Sequence, residues 1–257
     1  MDRRETYTPG YSDIAVRYMQ RRYAARDAAF LLPCLKPGMR LLDCGCGPGT
    51  ITVGLAEAVA PGEVVGVDIE ESQLAAARQV AKAKGLGNLR FETASVYKLP
   101  FPDRSFDAVH SHALFEHLGD PLAAAKELRR VLKPGGIVGI ATPDWSGNLM
   151  APRDPAMEKA IEAYRQLQRK NGGNPFMGRE LGKLLKEAGF ARISLSAMYD
   201  CYETMEAITE LLAQRLEAER SRVPDVERHC RAMREWAKQP DALFAQSFVE
   251  AIGYADS

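Results

Sequence analysis

The segment from Arg40 to Thr50, RLLDCGCGPGT, constrains the fold more than any other part of this chain. Its apolar start is typical of a buried strand, and the apolar residues Ile51, Val53 and Leu55 continue at the spacing of a helix. The alternate glycines between them permit positive φ angles and let a ligand approach the backbone closely. The segment therefore predicts a strand, a tight turn and a helix, with a ligand bound at the turn.

The ligand that this turn indicates carries adenosine and a positive charge. The apolar run Val64–Val67 predicts a second strand, and it ends at Asp68, about 20 residues beyond the glycines, where an acidic side chain can bind ribose hydroxyls. The third glycine of dinucleotide sites is missing. Asp43 would repel a pyrophosphate but attract an ammonium group. A cationic amino acid joined to adenosine fits these residues.

Four stretches in this order, LLDCGCGPGT, VVGVD, LPFPDRSFDAV and LRRVLKPGG, resemble the successive motifs of class I S-adenosylmethionine-dependent methyltransferases. The similarity covers roughly residues 20 to 195 and is greatest to the small-molecule branch that resembles the ubiquinone and menaquinone C-methyltransferases. It implies an α/β, Rossmann-like, seven-stranded and mostly parallel sheet with helices on both faces, together with helical cap insertions. The implied cofactor is S-adenosyl-L-methionine, and the implied acceptor is a small molecule methylated on O, N or C by in-line displacement.

The resemblance also implies where the cofactor binds. Asp43 is expected to attract the methionine amine and Asp68 to hold the ribose. Ser95 stands where relatives usually have an aspartate that binds the adenine amino group, and Gln73 where they usually have methionine. The predicted cofactor-binding residues are Tyr18, Arg22, Asp43, Gly45, Cys46, Gly47, Asp68, Ile69, Gln73, Ser95, Val96, Ser111 and His112.

Two histidines are the predicted catalytic residues. Holding acceptor and methyl group in position can supply much of the acceleration of a displacement. A weakly acidic acceptor also needs a base, and the ordinary pKa of histidine suits that role. His112 lies at the end of the predicted fourth strand, and His117 follows Glu116. The alternative for both is a structural role, in which the imidazole orders a loop and catalysis relies on proximity alone.

The chain is long enough for one methyltransferase core with additions. An N-terminal helical lid is expected over residues 1–34. The predicted core comprises 35–144, 178–202 and 240–257, and the predicted helical caps over the substrate site are 145–177 and 203–239. Several bulky residues of these regions are candidates for an apolar cavity, with ordinary core packing as the alternative: Trp145, Phe176, Met177, Met198, Tyr199, Tyr202 and Trp236.

Composition restricts the partners. Lys and Arg number 34, and so do Asp and Glu, so no overall positive field attracts nucleic acid. Five scattered cysteines, with no signal peptide or long apolar span, predict a reduced, cytoplasmic protein without a membrane span. Cys44 and Cys46 lack a second pair at ligand spacing, so no metal site is predicted. The sequence leaves a homodimer open.

Two other functions compete with methyl transfer. An NAD(P)-dependent oxidoreductase would also use the glycine turn and Asp68, but the third glycine and a Tyr and Lys pair near the fourth strand are missing. A non-catalytic S-adenosylmethionine-binding accessory protein would keep the same motifs. Stabilisation by S-adenosylhomocysteine rather than by NAD separates the first alternative from the methyltransferase.

Overall fold

The computed structural model describes residues 6–202 and 204–256. Residues 1–5 of the predicted lid, Glu203 of the second predicted cap and Ser257 lie outside the described residues. Within that range the chain folds around one mixed sheet. Its strands are β1 (Leu41–Cys44), β2 (Val64–Asp68), β3 (Leu89–Thr93), β4 (Phe106–His112), β5 (Leu132–Pro143), β6 (Leu149–Ala151), β7 (Ala191–Cys201) and β8 (Leu243–Ala255).

The strand order places β1 and β4 at the centre of the sheet. The order is β3-β2-β1-β4-β5-β8, with β7 on the outer side of β8. The pairs from β3 to β5 are parallel, and β8 is antiparallel to both of its long neighbours. The predicted mostly parallel, Rossmann-like α/β fold is confirmed. Ligands of such sheets bind beyond the carboxyl ends of the parallel strands.

Among the described residues the sheet has eight strands, one more than the seven predicted. Leu149 of the short strand β6 pairs with Ala245, at the start of β8. Because Cys201 of β7 pairs with that same alanine, β6 must lie on the β5 side of β8. β8 extends beyond the residue that pairs with Pro143, the end of β5, and β6 continues the pairing there. A three-residue strand carries too little alternation to be read from the sequence.

The helices cover both faces of the sheet and form the additions to it. They are α1 (Asp13–Gln20), α2 (Ala24–Asp27), α3 (Thr50–Val59), α4 (Glu71–Ala83), α5 (Pro121–Val131), α6 (Pro155–Lys170), α7 (Leu181–Glu187), α8 (Met205–Ala218) and α9 (Val226–Ala237). Ser12 caps α1 by accepting a hydrogen bond from the amide of Ala15. Among the described residues, no helix has both the length and the apolar character needed to cross a bilayer.

One apolar cluster joins the predicted lid to both predicted caps. Ala15 of α1, Tyr164 of α6, Leu212 of α8 and Trp236 of α9 belong to this cluster. Trp236 is 1% exposed, and its indole N–H donates to the carbonyl of Pro152 at 2.9 Å. Burial of these side chains against one another fixes the additions as a layer beside the sheet. The division of the chain into lid, core and caps stays a prediction.

Candidate active site

The glycine turn between β1 and α3 leaves space for a ligand. Gly45, Gly47 and Gly49 all have positive φ, at 71°, 50° and 76°. A Cβ on Gly47 would meet nothing closer than the Met19 sulfur, 3.8 Å away, whereas one on Gly49 would lie 2.7 Å from the Cβ of Ala77. Gly47 therefore borders open space, while Gly49 allows α3 and α4 to approach each other closely.

Asp68 links the glycine turn to the start of α4. Its Oδ2 accepts the amide N–H of Gly47 at 2.9 Å, and its Oδ1 accepts that of Glu70 at 3.0 Å. Burial raises the pKa of Asp68 above its ordinary value, although the hydrogen bonds from these amides lower it. Each oxygen keeps a further lone pair, so the carboxylate can still accept hydrogen bonds from ligand hydroxyls. The neighbouring Ile69 is 66% exposed and offers an apolar surface beside it.

Asp43 is held from both sides by its neighbours. Asp43 on β1 pairs in register with His110 on β4, and its Oδ1 lies 2.7 Å from Nδ1 of that histidine. Its Oδ2 accepts the hydroxyl of Thr52 at 2.6 Å. His110 is fully buried, and its Nε2 has no hydrogen-bond partner among the described residues. The sequence analysis missed this pair, although the alternation of His110 and His112 along one strand was a signal for it.

A cleft, called the outer cleft here, lies over this turn. Eleven of the thirteen predicted cofactor-binding residues line it: Arg22, Asp43, Gly45, Cys46, Gly47, Asp68, Ile69, Gln73, Ser95, Val96 and His112. The outer cleft also contains buried polar atoms without a partner among the described residues, including Oε1 of Gln73 and Nδ1 of His112. Buried polar atoms of this kind need a partner, so they fit a polar ligand.

Two predicted cofactor residues do not line the outer cleft. Ser111 points to the other face of β4, because side chains alternate along a strand, and its hydroxyl donates to the carbonyl of Cys44 at 3.0 Å. Tyr18 borders a second, neighbouring cavity instead. Its hydroxyl lies 2.9 Å from the hydroxyl of Tyr202 and donates to Oε1 of Gln246 at 3.2 Å. Both hydroxyls are already satisfied within the protein.

The N-terminal segment supplies residues beyond the thirteen predicted from the sequence. Tyr7, Tyr11 and Met19 line the outer cleft. The rings of Tyr7 and Tyr11 stack at 5.2 Å, and burial raises the pKa of both phenols, so both are neutral at physiological pH. No periodic pattern brings this irregular segment to the cleft, because its position depends on contacts with distant elements such as the Asn171 amide bonded to Thr8.

A second, smaller cavity, called the inner cavity here, adjoins the outer cleft. Four of the described residues border both spaces: Tyr7, Arg22, Ala113 and His117. Aromatic and aliphatic side chains from the sheet and both predicted caps form much of the remaining wall: Trp145, Tyr164, Ile208, Leu211, Leu212 and Phe248. Of the bulky candidates named from the sequence, Trp145 lines the inner cavity, whereas Trp236 is core and Tyr199 is 48% exposed.

His117 lies at the junction of the two cavities beside a buried carboxyl group. Its Nε2 is 3.4 Å from Oε1 of Glu116, its ring meets Tyr7 edge to face at 4.7 Å, and its Nδ1 has no hydrogen-bond partner in the described part of the chain. Burial and the charge of Arg22 lower the pKa of His117 to about 3. Its imidazole is therefore neutral at physiological pH.

His112 lies in the outer cleft only. Its ring stacks on Phe248 at 5.0 Å, and its Nε2 is 3.8 Å from Oδ1 of Asp27, which is beyond hydrogen-bonding distance. Burial, with Arg22 as a further cause, holds the pKa of His112 well below its usual value. Of the two predicted catalytic histidines, His117 is therefore the one that borders both cavities.

Arg22 brings a cation to the junction. Among the described residues no carboxylate lies within 4 Å of its guanidinium, whereas its neighbour Arg21 pairs with Asp200 at 2.5 Å. The guanidinium of Arg22 lies over the ring of Tyr18, 5.1 Å from its centroid. A cation without an acidic partner can bind an anionic group of a ligand.

Known proteins resemble this chain in both sequence and fold. Residues 35–189 match the family described as "Methyltransferase domain". An uncharacterized methyltransferase of Schizosaccharomyces pombe is 35% identical over 209 residues, which cover 77% of this chain and 75% of the relative. The demethylmenaquinone methyltransferase of Geobacillus kaustophilus is 35% identical over 176 residues, 63% of this chain and 74% of the relative. The solved YcgJ protein from Bacillus subtilis shares the fold, with a TM-score of 0.66 at 19% identity, covering 91% of this chain and 99% of that one.

The chain therefore belongs to the methyltransferase domain family. It is an S-adenosyl-L-methionine-dependent methyltransferase, as its motifs predicted, rather than a nicotinamide-dependent oxidoreductase. The residues of the outer cleft fit this cofactor, because the turn has open space in front of Gly47 and buried polar atoms face the cleft without partners.

Proposed function

We propose that the chain methylates a small, largely apolar ring compound with an ionisable hydroxyl group, bound in the inner cavity. The observation that carries this proposal is the junction, where the inner cavity meets the outer cleft at Ala113 and His117. Ring walls from Trp145, Tyr164 and Phe248 suit a planar molecule. The name of the Geobacillus relative, a demethylmenaquinone methyltransferase, supports a ring acceptor as well.

In this proposal the outer cleft holds the cofactor, which supplies an electrophilic methyl group on a sulfonium. Asp68 would accept hydrogen bonds from the ribose, and Ser95 and Val96 would bind the adenine. Asp43 would attract the methionine ammonium, and Arg22 would pair with its carboxylate. Gly45, Cys46, Gly47, Ile69, Gln73 and His112 would complete the cofactor site. Tyr18 would contribute to the wall of the inner cavity.

His117 would act as the base at the junction. Turnover of a His117→Ala variant at saturating cofactor should fall about 100-fold, the usual minimum for loss of a general base. His112→Ala should instead weaken cofactor binding, because His112 borders the outer cleft alone. Unchanged turnover in His117→Ala would leave proximity as the source of the acceleration.

Binding of the cofactor is tested by thermal unfolding. S-adenosylhomocysteine should raise the unfolding temperature of the protein, and NAD should not. The acceptor is then tested with labelled S-adenosylmethionine and a panel of phenols, catechols, amines and carboxylates. We expect methylated phenols or catechols, and a product formed only from amines would contradict the proposed acceptor class.

Filling the inner cavity tests where the acceptor binds. Leu212 lines the inner cavity and Leu216, one turn later on α8, is equally buried but does not. Leu212→Phe should raise the acceptor KM at least about tenfold, since lost or blocked apolar contacts are worth 1–3 kcal/mol. Leu216→Phe serves as the control for overpacking. Equal effects of the two variants on the acceptor KM would contradict the assignment.

We also propose that the protein is cytoplasmic and acts on a substrate other than nucleic acid. We further propose that it can form a homodimer. Five free thiols, one at the end of β1 and one in the glycine turn among them, support a reducing compartment. The balance of 34 basic and 34 acidic residues supports a neutral small molecule over a polyanion. Sedimentation of the purified chain measures its oligomeric state, and fractionation of cells measures its location.

A further inference from the structure

Glu116 carries a buried carboxyl group beside the junction. The proposed methyl transfer assigns no role to this group. The residue is 2% exposed and borders the inner cavity. Its Oε2 accepts the hydroxyl of Thr142 at 2.6 Å, and its Oε1 lies 3.4 Å from Nε2 of His117. Both oxygens therefore have a defined neighbour, one on β5 and one at the junction.

The backbone of Glu116 is fixed as firmly as its side chain. Its carbonyl oxygen accepts the amide N–H of Asn174 at 2.8 Å and Nε2 of Gln168 at 3.0 Å. A Cβ on Gly173 would lie 2.4 Å from the same carbonyl oxygen, so the close approach of this segment requires glycine. The first predicted cap thus holds Glu116 against the inner cavity, which makes the carboxyl geometry well defined.

His117 alone is a poor final acceptor of a proton. Burial and Arg22 lower its pKa to about 3, so its imidazolium form is disfavoured near neutral pH. Burial raises the pKa of Glu116 to about 7, which suits a group that takes and releases protons at physiological pH. Arg22, Tyr7 and Tyr164 also face Glu116, and burial keeps both phenols neutral by raising their pKa. Arg22 is the charged neighbour, and it favours the ionised carboxylate.

We infer that Glu116 is the positioning residue and terminal proton acceptor of the reaction, and that it receives the acceptor's proton through His117. This inference rests on the proposed function, since it needs an acceptor hydroxyl beside Nδ1 of His117. The hydroxyl proton moves to Nδ1, and Nε2 gives its hydrogen to Oε1 of Glu116. The imidazole is neutral before and after, and the carboxylate becomes a carboxylic acid. The electron pair left on the acceptor forms the bond to the methyl carbon while the methyl–sulfur bond of the sulfonium breaks, with its electron pair left on sulfur. Glu116 then releases the proton to solvent.

The pH profile of turnover tests the relay, with a catechol from the panel as acceptor and saturating cofactor. The wild-type rate should rise with pH, with an inflection near 7, and then level off. Glu116→Gln should lower kcat about 100-fold and remove the inflection, while the acceptor KM changes less than about threefold. Glu116→Asp should restore part of the rate together with the inflection. A Glu116→Gln profile that matches the wild type would overturn the relay.

Thr142→Val distinguishes the relay from a structural role of Glu116. The hydrogen bond from Thr142 favours the ionised carboxylate and so lowers its pKa. Loss of that bond should move the inflection to higher pH, and a merely structural carboxyl group would leave it in place. Calorimetric affinity for S-adenosylhomocysteine should be the same in Glu116→Gln, Thr142→Val and the wild type, which shows that each variant is folded and loaded.

Infrared difference spectra report the protonation of Glu116 without turnover. In the complex with S-adenosylhomocysteine, one protonated-carboxyl band should disappear between pH 6 and 8, and Glu116→Gln should lack this change. No such band in the wild type would overturn the relay even if phenols are methylated. A wild-type protein that shows the band but methylates no hydroxyl compound would contradict the proposed acceptor class, and the relay with it.

Discussion

The Asp43 carboxylate and the His110 imidazole meet across neighbouring strands, with 2.7 Å between Oδ1 and Nδ1. This contact places a buried acidic group at the carboxyl end of β1, where the strands of such sheets present their ligand site. The Thr52 hydroxyl, 2.6 Å from Oδ2, fixes the carboxylate from the start of α3. Three elements therefore set the position of one carboxylate that faces the outer cleft.

Replacement of Asp43 should weaken cofactor binding through the loss of its charge. Asp43→Asn is expected to reduce the affinity for S-adenosylhomocysteine by about 1.5–3 kcal/mol, the usual value of a hydrogen bond to a charged group. That corresponds to roughly 10- to 150-fold in Kd. Isothermal calorimetry measures it. Thr52→Val keeps the charge and serves as the control, with an expected loss below about fivefold. Equal affinity of Asp43→Asn and the wild type would exclude the ammonium role.

Two glycines of the turn should respond differently to alanine. Gly49→Ala combines a positive φ with a 2.7 Å approach to the Ala77 Cβ, so unfolding free energy should fall by about 2–4 kcal/mol. Gly47→Ala has the same backbone strain but room for its Cβ, so its loss should be about 1–2 kcal/mol. Urea unfolding measures both values.

The same two variants separate folding from binding. A methyl group on Gly47 stands in the space that borders the outer cleft, so Gly47→Ala should weaken S-adenosylhomocysteine binding at temperatures where the protein is fully folded. Gly49→Ala, whose Cβ faces α4, should bind it nearly as well as the wild type under those conditions. The reverse order of affinities would show that the ligand does not approach Gly47.

Arg22 is expected to bind the carboxylate of the cofactor. Arg22→Gln should reduce the affinity for S-adenosylhomocysteine at least about tenfold, as expected for a charge-assisted hydrogen bond. The affinity for 5′-methylthioadenosine, which lacks the carboxylate, should change less than about twofold. Arg21→Gln is the matched control, since Arg21 pairs with Asp200 instead. A similar loss for both ligands would indicate that Arg22 orders the lid without a contact to the carboxylate.

The sequence could reveal those parts of the site that follow from local pattern. The turn from Gly45 to Gly49 and the strand ending at Asp68 each combine an apolar run with a residue type of special chemistry, so the sequence predicts both elements, and residues of both line the outer cleft. The period of a strand also indicates which way Ser111 points, since His110 and His112 occupy the cleft face of β4 and the side chain between them lies on the other face.

Other parts of the site depend on contacts between residues far apart in the chain. Tyr7 reaches the junction because the neighbouring Thr8 of this irregular N-terminal segment accepts a hydrogen bond from the Asn171 amide, a contact that no periodicity encodes. The role inferred for Glu116 depends on burial and on Thr142, 26 residues away, both of which are properties of the fold. The strand β6 was missed because three residues show no measurable alternation.

Stability should depend on pH through His117. Its pKa is about 3 in the folded protein and near 6.5 when unfolded, so the neutral form favours the native state above pH 6.5 and this contribution is lost as the pH falls towards 3. The unfolding free energy of the wild type, measured in urea, should therefore fall relative to that of His117→Gln by about 1.4 kcal/mol per pH unit between pH 6 and 4. The unfolding free energy of the wild type relative to that of Glu116→Gln should change with pH in the opposite direction. The pKa of Glu116 is raised to about 7 in the folded protein, so its protonated form favours the native state at low pH, and this contribution is lost between pH 4.5 and 7. Parallel curves for the wild type and both variants would mean that neither group is held in the buried state described here.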